Sequence, residues 1–263
     1  MYPALSLTMN RLSACLITFN EEHNLPRALA SLKEIADEVV IVDSGSTDGT
    51  EAIAREFGAQ FHHRDWTNYS EQKNFAAEMA QHDWILSLDA DEELSSTLQS
   101  SLLEWKKHEP KFSVYEMARK TWYLGAWIEH SGWYPDFQRR LYRRETALFS
   151  GIIHEALRFE GQAGRLYGDI LHYTVRSFAE HEAKVEEYTT LAAQQMFRDG
   201  RRSWQAAMWL ATPWSWFQNY FLRGGFLDGY RGAIISQMAA RSVRLKYAKL
   251  GKLVQGTDEA SSR

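Results

Sequence analysis

Trp84-Ile85-Leu86-Ser87-Leu88-Asp89-Ala90-Asp91-Glu92-Glu93 is an apolar run that ends in acid. A strand-like segment stops at two carboxylates spaced i and i+2, with two more directly behind them. In open α/β sheets ligands bind beyond the carboxyl ends of strands, so the cluster lies where a substrate would sit. Crowded carboxylates repel one another, and a hard divalent cation relieves that repulsion. Mg²⁺ in particular is held by one or two carboxylates together with substrate phosphates. An acidic helix N-terminus gives the same local pattern, because Asp and Glu favour the positive end of the macrodipole.

The chain upstream supplies three more strands. Leu12-Ser13-Ala14-Cys15-Leu16-Ile17-Thr18-Phe19 reads as a buried strand stopped by Asn20-Glu21-Glu22. From Asn24 to Ile35 the apolar positions Leu25, Ala28, Leu29 and Leu32 fall at helical spacing. Glu38-Val39-Val40-Ile41-Val42-Asp43 is short and β-branched, and Ser44-Gly45-Ser46-Thr47-Asp48-Gly49 is a tight polar turn. Thr47 or Asp48 can cap a helix over Thr50 to Phe57. A third strand is expected over Gln60 to His63, a helix over Ser70 to Ala80, and the fourth strand over Trp84 to Leu88. Such alternation with short connections predicts a parallel sheet wound by right-handed crossovers. The sequence contains neither G-x-G-x-x-G nor G-x-x-x-x-G-K-[ST], which weighs against dinucleotide and P-loop folds. Further on, Leu94 to His108 reads as a helix, Pro110 to Glu160 as aromatic and strand-rich, and Phe178 to Phe197 as an amphipathic helix.

At 263 residues the chain suits one large domain with an appendage. Its single Cys15 excludes an internal disulfide and a cysteine zinc site and points to a reducing compartment. No basic region followed by an apolar core and a small-residue cleavage site opens the chain, so no secretory signal is expected. Charge is uneven. Between Arg198 and Lys252 ten Lys/Arg face only Asp199 and Asp228, a net of +8 in a chain whose total is −4. That asymmetry points to an anionic surface as partner; no nucleic-acid partner is expected.

Polar groups therefore stand at four strand ends: Thr18, Asn20 and Glu21 after the first, Asp43 after the second, Lys73-Asn74 before the fourth, and Asp89 and Asp91 after it. In order and spacing, Ile17-Thr18-Phe19-Asn20-Glu21, Ile41 to Thr50, Gln72-Lys73-Asn74 and Asp89-Ala90-Asp91 resemble the nucleotide-sugar half of family 2 glycosyltransferases, which have the GT-A fold. The resemblance implies an α/β, mostly parallel nucleotide-binding sheet flanked by helices. It also implies a UDP-sugar donor and a divalent metal, Mg²⁺ or Mn²⁺. Phe19 would stack on the base, and Asp43 would accept the uracil imide N–H in a charge-assisted bond. Lys73 would offset diphosphate charge, Asp89 would lie near ribose or metal, and Asp91 would bind the cation. Each has a plainer use: Asp43 can begin a turn, Lys73 can be a solvated helix residue, and Thr18 can satisfy local backbone.

The second half carries Leu124-Gly125, Gly132-Trp133-Tyr134-Pro135-Asp136, Arg139-Arg140-Leu141-Tyr142 and Ile153-His154-Glu155, and later His172-Tyr173, Lys184, Tyr188 and Gly225 to Gly229. These are similar to bacterial lipopolysaccharide-core β-1,4-glucosyltransferases. The resemblance implies inversion at the anomeric carbon, and so a carboxylate base within hydrogen-bond reach of the acceptor hydroxyl. Glu155 is the first candidate and Asp136 the second, with helix capping as the alternative for Glu155. His154 would orient Glu155 or contact phosphate. His172 would complete the metal site, unless it is a hydrogen-bonded core residue. Arg139, Arg140, Arg143 and Arg144 suit a phosphorylated or lipid-linked glycan acceptor, since guanidinium forks match phosphate.

Ser203 to Leu222 holds no formal charge but carries Gln205, Thr212, Pro213, Ser215, Gln218 and Asn219. About 20 apolar residues would span a bilayer; these polar groups, with four Trp between Trp204 and Trp216, suit a helix pair lying at an anionic membrane interface. An aromatic core or a homodimer interface is the alternative. The expected organisation is a GT-A catalytic domain over 1–177 (donor half about 10–108, acceptor half about 109–177), a helical membrane-associating region over 178–254, and a disordered tail over 255–263. The expected location is the cytoplasmic face of the bacterial inner membrane. A haloacid-dehalogenase phosphatase also uses Asp-x-Asp after a strand, but needs Thr or Val where this chain has Glu93. A polyprenyl-phosphate sugar transferase and a catalytically dead membrane-bound scaffold are the remaining alternatives.

Overall fold

The computed structural model describes residues 9–151, 155–175 and 178–261. It divides into two compact units, one of Met1–Lys120 with Asp136–His172, the other of Thr121–Pro135 with Tyr173–Arg263.

The first unit begins with β1 (Leu12–Thr18), α1 (Leu25–Leu32), β2 (Glu38–Asp43), α2 (Thr50–Glu56), β3 (Gln60–His63), α3 (Tyr69–Met79) and β4 (Trp84–Ser87). The chain continues through β5 (Glu92–Leu94), α4 (Ser96–Lys106), β6 (Val114–Tyr123), β7 (Ala126–Trp127), β8 (Asp136–Arg143), β9 (Ala147–Ser150), β10 (Ala156–Phe159) and β11 (Gly164–Val175). The strand order is β3-β2-β1-β4-β8-β6-β11-β5, with β7 on β6 and a separate β9–β10 pair. β1, β2, β3 and β4 run parallel, as expected. Antiparallel β8 then joins β4, and β6 joins β8.

Period-two alternation builds this sheet. On β1, Leu12, Ala14 and Leu16 join one buried cluster with α1 and α4, while Cys15 joins the other with Ala76 and Ala77 of α3. The Cys15 thiol is buried, donates to the Ala76 carbonyl, and has its pKa pushed far up by burial. α1 buries Leu25, Ala28, Leu29 and Leu32, the stripe its spacing predicts, and opens on a proline suited to the first helical turn. Parallel register sets Thr18 beside Asp43, and so brings the two carboxyl-terminal loops together.

One local expectation changes. The acid run does not open a helix: Glu92–Leu94 is a short strand that pairs antiparallel with β11, His172 opposite Glu92. The helix starts later because Ser95 caps it, accepting from the Leu98 N–H at 3.3 Å. Asp89 and Asp91 therefore stand ahead of a strand, and the helix-terminus reading of the motif is removed.

The second unit is largely helical, with α5 (Phe178–Arg198), α6 (Gln205–Phe217) and α7 (Gly229–Ser261). A π-helical turn over Gln218–Leu222 and a 3-10 turn over Gly225–Asp228 link the last two. Residues 121–135 group with this unit although the end of β6 and β7 lie within them, because Tyr123 and Ile128 pack with Ile235 of α7. Asp228 fastens that segment by accepting from the Glu129 and His130 backbone N–H groups. α7 continues to Ser261, into the tail set apart on sequence; no proline interrupts it. Among the described residues no helix is long and apolar enough to cross a membrane.

Candidate active site

The turn after β4 is locked from both sides. The Glu92 N–H donates to the Asp89 carbonyl at 3.0 Å, and the Glu92 carboxylate accepts the Asp89 N–H at 3.1 Å. Glu92 is fully buried, and its other oxygen accepts from Arg140 at 2.8 Å and from Arg119 at 3.4 Å. Arg140, 4% exposed, also donates to Asp89 at 2.6 Å. On the opposite side Lys73 of α3, 3% exposed, lies 2.8 Å from Asp89 and 2.6 Å from Glu155. Arg119 in turn grips one oxygen of Asp136 at 2.6 and 3.0 Å.

These contacts join seven groups in one line of alternating sign: Glu155, Lys73, Asp89, Arg140, Glu92, Arg119, Asp136. Buried charges persist only when paired and hydrogen-bonded, and the three buried members, Lys73, Arg140 and Glu92, each meet two groups of opposite sign. Burial alone would raise the Asp89 pKa, but Arg140 and Lys73 outweigh it and hold the carboxyl far below the usual range. Burial would likewise lower the Arg140 pKa, yet Asp89 and Glu92 drive it upward, so the guanidinium stays charged.

Asp91 turns the other way. Its Oδ2 lies 3.3 Å from His172 Nε2, so two of the three expected metal ligands meet across the β5–β11 register. The third, Asp89, is committed to Lys73 and Arg140. Among the described residues no cluster of three His, Cys, Asp or Glu forms. One carboxylate and one imidazole leave most of a coordination sphere to substrate oxygens and water, the manner in which Mg²⁺ is bound at phosphate sites. His172 Nδ1 is buried and unbonded among the described residues. The donor set fits a divalent cation shared with a diphosphate.

The loops after β1 and β2 are laced together. Asp43 accepts four bonds: from Thr18 Oγ1 at 2.8 Å, Ser46 Oγ at 2.5 Å, and the Gly45 and Ser46 N–H groups at 2.8 and 2.7 Å. Two of those donors are hydroxyls that can rotate, which leaves Oδ1 able to accept one incoming N–H. Asn20 takes a left-handed conformation, φ 55°, while accepting from the Thr47 N–H. Glu21 donates its N–H to Thr50 and accepts from Asn24, so its side chain serves the loop. Phe19 is exposed beside this cradle.

α3 positions the second carboxylate. Ser70 donates to the Gly151 carbonyl, and the Asn74 amide exchanges two hydrogen bonds with the Phe149 backbone on β9. The segment leading toward Glu155 is thereby held against the helix that carries Lys73. Glu155 precedes strand β10, which removes the helix-capping alternative. Its Oε1 accepts from Lys73, whereas Oε2 is buried and unbonded among the described residues. Both Asp136 oxygens are engaged, by Arg119 and by Gln138. His154 lies outside the described residues.

A family model described as glycosyl transferase family 2 matches residues 13–159, more than half of the chain and all of the geometry just described except His172. The chain belongs to that family. An uncharacterized glycosyltransferase of Rickettsia felis is 31% identical over 92% of this chain and 90% of its own length. The lipopolysaccharide core biosynthesis glycosyltransferase LpsC of Rhizobium meliloti is also 31% identical, over 90% of this chain and 93% of its own. Among solved structures, S. aureus TarS 1–349 aligns over 94% of this chain and 92% of its own, at 15% identity and a TM-score of 0.45.

Within this glycosyltransferase the roles of three site residues are not legible in the sequence. Glu92 and Arg119 carry no motif of their own. Arg140 was expected on a basic surface for acceptor phosphates, and that is corrected: it is a buried counter-ion. Its neighbours divide, since Arg144 donates to the Ala77 and Ala80 carbonyls while Arg139 and Arg143 stay exposed. A bulge explains the miss. Leu141 pairs Tyr115 but Arg139 pairs Glu116, so Arg140 is the extra residue and strand alternation cannot predict its direction.

Proposed function

We propose that this glycosyltransferase moves a hexose, glucose in the first instance, from a UDP-sugar to a lipopolysaccharide core or related lipid-linked or phosphorylated glycan, with inversion. The observation that supports this most strongly is the juxtaposition at the strand ends of Lys73, the Asp91–His172 pair and a carboxylate with one unengaged oxygen, Glu155. The name of LpsC, a relative across nearly the whole chain, supports the acceptor class. Phe19 stacks on the uracil and Asp43 accepts its imide N–H, while Thr18, Asn20 and Glu21 keep that loop in shape.

Asp91 and His172, together with Asp89, would hold a divalent cation, which would supply Lewis-acid stabilisation of the departing diphosphate. Lys73 adds positive charge on the same side. Glu155 takes the proton from the acceptor hydroxyl as its oxygen bonds to the anomeric carbon and the bond from that carbon to the diphosphate oxygen breaks. Glu155 is preferred to Asp136 because only Glu155 keeps an oxygen unbonded. The acceptor is met at the cytoplasmic face of the bacterial inner membrane.

A panel of UDP-, GDP- and ADP-hexoses with Mn²⁺ or EDTA, scored for transfer to core oligosaccharide extracted from an envelope mutant, tests this. Metal-dependent transfer from one UDP-hexose, giving the inverted anomer, is expected. Transfer only to polyprenyl phosphate would replace the acceptor, and no turnover of any donor would leave the scaffold reading.

A further inference from the structure

The apolar surface of the second unit is arranged as a stripe. α6 buries none of its residues fully, although its sequence is uncharged throughout. Trp209 and Leu210 are 74% and 73% exposed, and Trp214, Phe217, Phe221 and Leu227 are exposed with them. Leu210, Trp214, Phe217 and Phe221 follow one another at four, three and four residues, which keeps them on one helical face. Ring contacts make it continuous: Trp214 stacks on Phe217 at 5.9 Å, and Phe217 meets Phe221 at 5.2 Å. The turn over Gln218–Leu222 is π-helical, with Asn219 buried and its amide bonded to the Ser215 carbonyl.

Soluble chains rarely expose a contiguous apolar patch of this kind without a partner. The charges around it indicate which partner. Between Asp199 and Asp228 the only formal charges are Arg201, Arg202 and Arg223, all exposed. A run of indoles and phenyl rings whose only formal charges are three exposed arginines matches the interfacial layer of an anionic bilayer, where aromatic rings settle at headgroup depth and Arg meets lipid phosphate.

We propose that the Leu210–Trp214–Phe217–Phe221 stripe, with Trp209, is the edge by which this chain inserts into an anionic leaflet, lying in its plane. The proposal rests on the membrane location above but not on catalysis. It is tested with the full chain by cosedimentation with vesicles of phosphatidylcholine alone and of phosphatidylcholine with phosphatidylglycerol. Strong binding to the anionic vesicles is expected. Trp209→Ser with Leu210→Ser should weaken it at least tenfold, and Arg201→Gln with Arg202→Gln about fivefold per charge, with the salt dependence reduced. Both variants should keep wild-type UDP binding, which separates a failed docking surface from a failed enzyme. Equal sedimentation of wild type and both variants, or a stripe-dependent dimer in solution with no vesicle binding, would overturn the proposal.

A separate observation concerns the donor site. Glu92 touches the Asp89 N–H, Arg140 and Arg119 with its carboxylate, and its backbone pairs with His172. The geometry points to Glu92 as a positioning residue that sets the Asp89-Ala90-Asp91 turn against His172. Glu92→Gln keeps an acceptor and loses the charge, so Mn²⁺-dependent UDP binding should weaken about tenfold. Because an unpaired buried Arg140 can unfold the unit, Glu92→Leu combined with Arg140→Met removes both charges and should show the same loss. Calorimetry reads both, with metal-free uridine binding, which draws on Phe19 and Asp43 alone, as a reference that a positioning role leaves unchanged. UDP binding within twofold of wild type in either folded variant would refute the assignment.

Discussion

The two units break the usual rule of burial in opposite directions. The sheet unit strings seven charged groups into a line and buries three of them, Lys73, Arg140 and Glu92, while the helical unit leaves Trp209, Leu210 and Trp214 in the open. Neither arrangement is what a chain selected for stability alone would adopt, since well-packed apolar residues replace buried ion pairs without loss and exposed aromatic surface invites association. The contrast separates two kinds of signal. Charge that is buried and paired marks a site prepared for an ionic ligand, whereas exposed aromatic hydrocarbon marks a surface prepared for a partner.

The largest effect should come from the Glu155 end of the charged line. Glu155→Gln should lower the rate of sugar transfer by about 10²–10⁴ and leave UDP affinity unchanged, measured by single-turnover assay and calorimetry. A transfer rate within tenfold of wild type would shift the base to Asp136. Next, Lys73→Met leaves Asp89 without one of its two counter-cations and Glu155 without its hydrogen-bond donor. Breaking such a pair from one side costs about 3–5 kcal/mol, which urea unfolding should register. A loss under 1 kcal/mol would mean that solvent or rearrangement compensates for the missing cation.

Acid should distinguish the units as well. The folded-state pKa of Asp89 is depressed, so its contribution is complete above the unfolded value, about 3.9, and is lost progressively as pH falls below it. Tryptophan fluorescence and circular dichroism through that range should show Asp89→Asn losing less stability with falling pH than wild type. Parallel curves would detach Asp89 from acid unfolding. The smallest effect belongs to the exposed stripe: Trp209→Ser should alter unfolding free energy by no more than about 0.5 kcal/mol, because it is 74% exposed. A larger loss would show the ring to be structural.

The donor half was legible because its elements agree at every level. The apolar spacing of α1 and the β-branched run of β2 each mean one thing, and the structure places them where the spacing requires. The site was less legible where one residue had to choose a side. Arg140 turns inward at a bulge, and Glu92 belongs to a three-residue strand too short to show a period. Residues 121–135 look like more sheet, since Trp122 and Trp127 pair as strands do; that Tyr123 packs with Ile235, more than a hundred residues away, is a tertiary fact with no local trace.

We propose that nucleotide-sugar binding needs a metal held by the Asp91–His172 pair. Titration calorimetry of UDP with Mn²⁺, with EDTA, and with Asp91→Ala and His172→Ala tests it most directly. Binding that requires Mn²⁺ and falls at least tenfold in each variant is the predicted result. UDP affinity indifferent to metal and to both substitutions would contradict it.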